Sequence, residues 1–261
     1  MMHSLTLECP LEQAEFLSAD LYELETEGIN EEDLPGGRIR LRAFFNAEFD
    51  TAQFAEYSPH WEVEPDRDWR KEMEGHWPSI EVGRFFIAAP WSMDPTPAGL
   101  MLLPVHPGLA FGTGRDTTTQ LCLEALEQMV TPGMEVLDVG TGSGILACAA
   151  HLLGAGRVVA CDIDWTSVEC ARAELPGEIG IFAGSARSVR SGSADLIVAN
   201  INAETITSLA GEFKRILKPG GRLILCGVPI RHGDRVAGCM DTHQLPVVSR
   251  KERDIWVRLI C

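Results

Sequence analysis

The chain of 261 residues has no apolar run long enough to span a bilayer. Its first residues, MMHSLTLECPLEQAEF, lack the basic and apolar stretches of a secretory leader, so a soluble cytoplasmic protein is expected. No Cys-x-x-Cys pair occurs and the seven histidines are scattered without ligand spacing, which argues against a metal site. Cys148, Cys161 and Cys226 sit inside apolar runs, as reduced core residues do, and a disulfide framework is not expected. Basic residues are scarce: 22 Lys and Arg against 38 Asp and Glu, a net charge of -16. That shortage disfavours direct contact with the phosphate backbones of nucleic acid.

The acidity is concentrated. Residues 1–75 hold 19 Asp and Glu against 6 Lys and Arg, a net of -13, and residues 76–261 carry only -3. Such an asymmetry either steers a basic partner toward the first third or merely keeps that surface soluble.

Two patterns divide the chain. In the first third, LTLEC (5–9) alternates as a strand, and apolar residues from Leu11 to Leu24 fall at helical spacing until Gly28. RIRLRAFF (38–45) alternates strictly, and TAQFAEY (51–57) suits a short helix. This reads as a small α+β layer resembling a ferredoxin-like half, assigned to residues 1–60. Residues 61–107 are rich in Trp and Pro and read as a connector, with a strand candidate at 80–88. From 108 to 261 helices and continuous apolar strands alternate, which predicts a doubly wound parallel sheet buried on both faces.

Ligands of such sheets bind beyond the carboxyl ends of the strands. DVGTGSG lies there, after the domain's first strand; Gly140 and Gly142 let backbone approach a ligand, and Gly144 lets the next helix pack closely. The order is GxGxG, not the dinucleotide GxGxxG, and no Lys with Ser or Thr follows as in a P-loop. Asp162, 22 residues after Gly140 at the end of the next strand, is placed to accept ribose hydroxyls. Methyltransferases that use S-adenosylmethionine combine such a loop with such an acid. A tight turn with a helix-capping aspartate is the plainer alternative.

HPGLAFGTGRDTTTQLCLEAL (106–126) resembles the segment PGLAFGTGTHPTT of the PrmA family, methyltransferases of bacterial large-subunit ribosomal protein eleven. DVGTGSGILA, CDID and ANINA are similar to the family's glycine loop, ribose acid and Asn-Ile-Leu-Ala motif, and DWRKEMEGHWPSIEVGRFFIAAPW to its Trp-rich connector. The resemblance implies a Rossmann-like methyltransferase domain, S-adenosylmethionine as cofactor, and an N-terminal domain that recognises a basic ribosomal protein. It implies that Thr119 touches the methionine end of the cofactor, Gly140 lies beneath it and Asp162 binds its ribose. Asn200 would face the methyl group and the acceptor amine, with Phe111 and Thr113 lining the same mouth. Read without the resemblance, Phe111 is a core residue, the threonines are helix caps and Asn200 caps the helix that follows it.

The chain departs from the family pattern at two places near the expected acceptor. Arg115, Asp116 and Thr117 stand where the family has Thr-His-Pro, and Asn202 replaces an apolar residue after Asn200. The Asp-Pro-Pro-Tyr type of motif used on nucleobase amines is absent at NINA, which favours an aliphatic amine. Three readings fit these residues: methylation of lysine and α-amino groups of a ribosomal protein, methylation of another protein or a small molecule, and a non-catalytic cofactor-binding domain. A monomer is expected.

Overall fold

The computed structural model describes all residues except 1, 25, 27, 65–76 and 107–111. The chain divides into two compact units, residues 1–72 and 73–261.

The first unit is built on β1 (His3–Pro10), α1 (Ala14–Glu23), β2 (Gly28–Leu34), β3 (Arg38–Phe45) and β4 (His60–Val63), with a 3-10 turn at Ala52–Tyr57. The strands form an antiparallel sheet in the order β2-β3-β1-β4, which is the ferredoxin-like arrangement. Period-two alternation explains its core. Ile39, Leu41 and Ala43 pair with Cys9, Leu7 and Leu5, and this apolar face packs with Ala14, Leu17 and Leu21 of α1. On the opposite face Arg40 bridges Glu8 and Glu32, at 2.7 Å each, and Arg42 reaches Glu62 at 2.8 Å. Gly28 opens a strand here and does not end the helix, which stops at Glu23. The strand GINEEDL is invisible to alternation because acids occupy both of its faces. It is an edge strand, where charge blocks pairing with other chains.

In the second unit, the segment read as a connector contains β5 (Ile80–Val82), β6 (Phe85–Ala88) and β7 (Met101–Pro104), which form a small three-stranded sheet. IEVGRFFIA is therefore a hairpin, turning at Gly83 with φ 54°. Its Phe85 and Ile87, with Leu103, join the main core, so residues 80–104 are part of the larger unit.

The remainder runs α2 (Thr117–Met129), β8 (Glu135–Val139), α3 (Ile145–Leu152), β9 (Arg157–Asp162), α4 (Trp165–Glu174), β10 (Gly180–Ala183), β11 (Ala194–Asn200), α5 (Ala203–Ile216), β12 (Leu217–Pro229), α6 (Ile230–Thr242), β13 (Ser249–Arg253) and β14 (Trp256–Ile260). The sheet order is β10-β9-β8-β11-β12-β14-β13. Strand residues alternate between two cores, which is the burial expected of a doubly wound sheet. Val136, Val158, Leu196 and Val198 pack with α2 and α3, whereas Leu137, Val139, Ile197 and Ala199 pack with α5 and α6.

Three local expectations change. β14 runs antiparallel to both of its neighbours, β12 and β13, so parallel pairing extends over five strands only. KPGG (218–221), whose Pro and Gly signal a turn, is an excursion within the continuous β12, where the register with β11 jumps from Leu217 to Arg222. Finally, β13 is polar throughout and carries no apolar pattern to announce a strand. Among the described residues no helix is long and apolar enough to cross a membrane.

Candidate functional site

The strand order reverses between β8 and β11, which opens a crevice at their carboxyl ends. Val139 pairs with Cys161 of β9 on one side and Ala199 of β11 on the other. Gly140, Asp162 and Asn200 are each one residue further on, so the sheet brings three predicted site residues to the same level. Phe111, also expected at this mouth, lies outside the described residues.

The glycine loop needs its glycines. Gly140, Gly142 and Gly144 have φ of 72°, 51° and 84°, a region that side chains disfavour. A Cβ at Gly140 would stand 2.2 Å from Cγ2 of Ile201, and one at Gly144 would press on Leu175 at 2.9 Å. The N–H groups of Gly140 and Thr141 donate to the carbonyl of Cys161, at 2.9 and 3.1 Å. The Gly142 N–H donates to Oδ2 of Asp162 at 2.9 Å, and Oδ1 accepts from the Asp164 N–H at 3.0 Å. Asp162 is not the cap of α4. Asp164 fills that role, accepting from the N–H groups of Thr166 and Ser167. With two of about four acceptor positions used, the Asp162 carboxylate keeps capacity for hydroxyl donors.

Asn200 is not a helix cap either. Asn202 caps α5, its side-chain oxygen accepting from the Thr205 N–H at 2.8 Å. The Asn200 side chain turns the other way, and Nδ2 donates to the hydroxyl oxygens of Thr118 and Thr119, both at 3.3 Å. Its carbonyl oxygen Oδ1 is buried and has no hydrogen-bond partner. A buried amide acceptor left unmade costs about 1 to 3 kcal/mol, so an acceptor in this position is poised for a donor from a ligand.

The FGTG segment docks on the loop. The Ser143 hydroxyl donates to the Gly112 carbonyl at 2.5 Å, and a Cβ at Gly114 would meet Ile87 at 2.6 Å. Thr113 is held by Asp116, whose Oδ2 accepts from its N–H at 3.1 Å and its hydroxyl at 3.4 Å. The departures from the family pattern are thereby accounted for within the protein. Arg115 is exposed, stacks on Trp77 at 4.5 Å and donates to the Pro78 carbonyl. Thr117 donates to Asp254 at 2.7 Å, and Asn202 is a cap. Their polar groups serve the fold, so these departures give no reason to assign a different acceptor.

Two residues that sequence reasoning missed belong to this region. Thr118 is as close to Asn200 as Thr119 is, and only the helical turn reveals that both face it. Asp138 is fully buried in β8, with Oδ2 accepting from the Thr141 hydroxyl at 2.6 Å and the Ala147 N–H at 3.2 Å. Its Oδ1 has no partner. Burial, reinforced by the Asp162 charge and opposed by these hydrogen bonds, pushes the Asp138 carboxyl up to about 7. An acid in the midst of the apolar run EVLDVG was the visible signal for it.

A sequence profile described as "Ribosomal protein L11 methyltransferase (PrmA)" matches residues 3–261. The L11 methyltransferase of Myxococcus xanthus is 36% identical over 98% of this chain and 96% of its own length. That of Symbiobacterium thermophilum is 40% identical over 75% of this chain, which spans 66% of that relative's length. In the Desulfitobacterium hafniense relative, 38% identical, the share is 64%. A solved ribosomal protein L11 methylase from Lactobacillus delbrueckii subsp. bulgaricus superposes with a TM-score of 0.65 at 30% identity, covering 70% of this chain and 97% of that one. With a match across nearly its whole length to a family whose glycine loop and Asn200 motif it carries, the chain belongs to the PrmA family of ribosomal protein L11 methyltransferases.

Proposed function

We propose that this protein transfers the methyl group of S-adenosylmethionine to lysine and α-amino groups of ribosomal protein L11. The observation that carries the reading is the buried, unpartnered carbonyl oxygen of Asn200, at the level of Gly140 and Asp162 in the switch-point crevice. The residues present fit the cofactor. Asp162 has acceptor positions free for ribose hydroxyls, and Gly140 and Gly142 leave backbone bare beneath it. We place Thr113 and Thr119 beside the cofactor's methionine end, and two buried acceptors, Asp138 Oδ1 and Asn200 Oδ1, lack donors. Bound there, S-adenosylmethionine supplies an electrophilic methyl group on a sulfonium.

The protein's own task is to present a neutral amine in line with that methyl group. A lysine amine with a solution pKa of about 10.4 must shed a proton first, and removal from water favours the uncharged form. Oδ1 of Asn200 then accepts one of its N–H bonds and aims the lone pair. Holding both partners in place contributes roughly 7 to 11 kcal/mol as effective molarity.

Asp162 tests the cofactor half of the reading. Asp162→Asn keeps an acceptor for the Gly142 N–H and removes the charge. Loss of charge-assisted bonds to ribose is expected to weaken S-adenosylmethionine by roughly 1.5 to 3 kcal/mol in titration calorimetry. Asp162→Ala additionally strands two N–H groups, at about 1 kcal/mol each in stability, so the asparagine variant is the cleaner probe. Unchanged affinity in the asparagine variant removes Asp162 from the site.

We assign acceptor recognition to the acidic layer of residues 1–60. The charge excess and the glycine loop lie in different parts of the chain, and L11 presents a basic partner in this reading. Reversing Glu31 and Asp33, whose strand β2 is an exposed edge, is expected to raise KM for L11 severalfold without changing cofactor affinity. An unchanged KM makes that surface a solubilising one only.

A further inference from the structure

Helix α2 opens on three successive threonines, residues 117–119, whose side chains part ways. Thr117 turns outward, and its hydroxyl donates to Asp254 at 2.7 Å. Thr118 and Thr119 turn inward and are buried. A buried hydroxyl needs a partner, and both find the same one. Each accepts from Nδ2 of Asn200, at 3.3 Å. Threonine is branched at Cβ and restricted about χ1, so the first turn of the helix holds both hydroxyls against the amide. Thr119 already has a place beside the cofactor in the reading above. Thr118 has none.

A side-chain amide carries two N–H donors and one carbonyl acceptor, and the partners it can satisfy decide which way it faces. As found, the two threonines take both N–H donors, and Oδ1 alone is left without a partner among the described residues. A flipped amide would accept from the same two hydroxyls and strand two N–H groups, each with its own desolvation penalty. Two hydroxyls therefore favour the orientation that presents Oδ1. With one hydroxyl removed, either orientation strands two groups and the preference is gone. The orientation matters to the reaction. An amine that donates an N–H to Oδ1 keeps its lone pair for the methyl group. A flipped amide would donate to that lone pair instead, and because a neutral amine accepts hydrogen bonds better than it donates them, the unproductive pairing would be the tighter one. We propose that Thr118 is a positioning residue for methyl transfer, forming with Thr119 a fork that holds the carbonyl of Asn200 toward the acceptor amine. The proposal rests on the reading of Asn200 given above.

The test is steady-state kinetics on the full-length protein, with purified ribosomal protein L11 and radiolabelled S-adenosylmethionine. Thr118→Val keeps the shape of the side chain and removes the hydroxyl. Unproductive binding lowers kcat and KM together, so the variant is expected to lose about tenfold in kcat and a similar factor in KM for L11. Its kcat/KM and its cofactor Kd are expected to stay within about threefold of wild type. Thr118→Ser restores the hydroxyl and is expected to recover most of the loss in kcat. In an Asn200→Ala background Thr118→Val is expected to alter kcat by less than about twofold, because no amide remains to be oriented. Wild-type constants in Thr118→Val overturn the proposal. So does a fall in kcat at unchanged or raised KM, which marks general damage to the site, and so does an undiminished further loss in the Asn200→Ala background. Weakened cofactor binding at normal kcat would assign Thr118 to the cofactor pocket and overturn it as well. Should Thr118→Val not fold, Thr118→Ala carries the same test. Wild-type turnover in Asn200→Ala alone would instead remove the functional reading on which the proposal stands.

Discussion

Asn200→Ala is expected to lower kcat for methyl transfer by about 100-fold or more, a loss of roughly 3 kcal/mol in transition-state stabilisation, against only about 1 kcal/mol in stability. The buried Oδ1 has no partner within the protein, so removing it costs the fold little. What disappears are two long bonds to threonine hydroxyls, together worth about 1 kcal/mol. The matched control is two residues away. Asn202→Ala removes the cap of α5, costs about 1 kcal/mol of stability and leaves turnover near wild type. With similar losses of stability in the two variants, turnover separates the roles. An Asn200→Ala protein that turns over normally assigns Asn200 to structure.

The second large effect concerns Asp138 and appears in stability against pH. Its carboxyl is raised from 3.8 to about 7 by full burial. A raised carboxyl contributes stability below the unfolded value, where both states are protonated. Between about pH 4 and pH 7 the unfolded chain ionises while the folded one holds its proton, so that contribution is lost as pH rises. Above pH 7 the native protein carries a buried charge whose Oδ1 is unpaired. Asp138→Asn cannot ionise, and its carbonyl can still accept from Thr141 and Ala147. The difference in stability between variant and wild type is expected to swing by roughly 3 to 4 kcal/mol in favour of the variant from pH 4 to pH 8. Carboxylates held below their usual range, such as Glu124, Glu135 and Asp195, act with the opposite sign in both proteins and cancel in the comparison. A difference that is flat in pH contradicts the raised carboxyl.

How much of this was legible depended on which physical signal each element carries. RIRLRAFF and the apolar strands of the second unit could be placed because a core face imposes alternation or a continuous apolar run. GINEEDL and SRKER could not, because an edge strand must hold to the sheet by backbone while its side chains repel other chains. At the site, Gly140, Asp162 and Asn200 stood out because each follows a buried strand of the same sheet. Register then placed them on one level, which no reading of single segments could show. The two asparagines of NINA were harder. Both suit a helix start, and only the bond from the Thr205 N–H shows that the second one caps while the first faces the crevice. The departures from the family pattern lend no support to a different acceptor, for a related cause. Arg115 and Thr117 are near the site in sequence, but their partners, Trp77, Pro78 and Asp254, are far from it in sequence and draw both side chains away.

The central claim is that this crevice methylates amino groups of ribosomal protein L11. Its most direct test is incubation of the purified protein with L11 and S-adenosylmethionine labelled in the methyl group, followed by mass analysis of the L11 peptides. Label on lysine side chains or the α-amine of L11, lost in Asn200→Ala, is the predicted result. Saturating cofactor binding with no label transferred to any amine of L11 would contradict the claim.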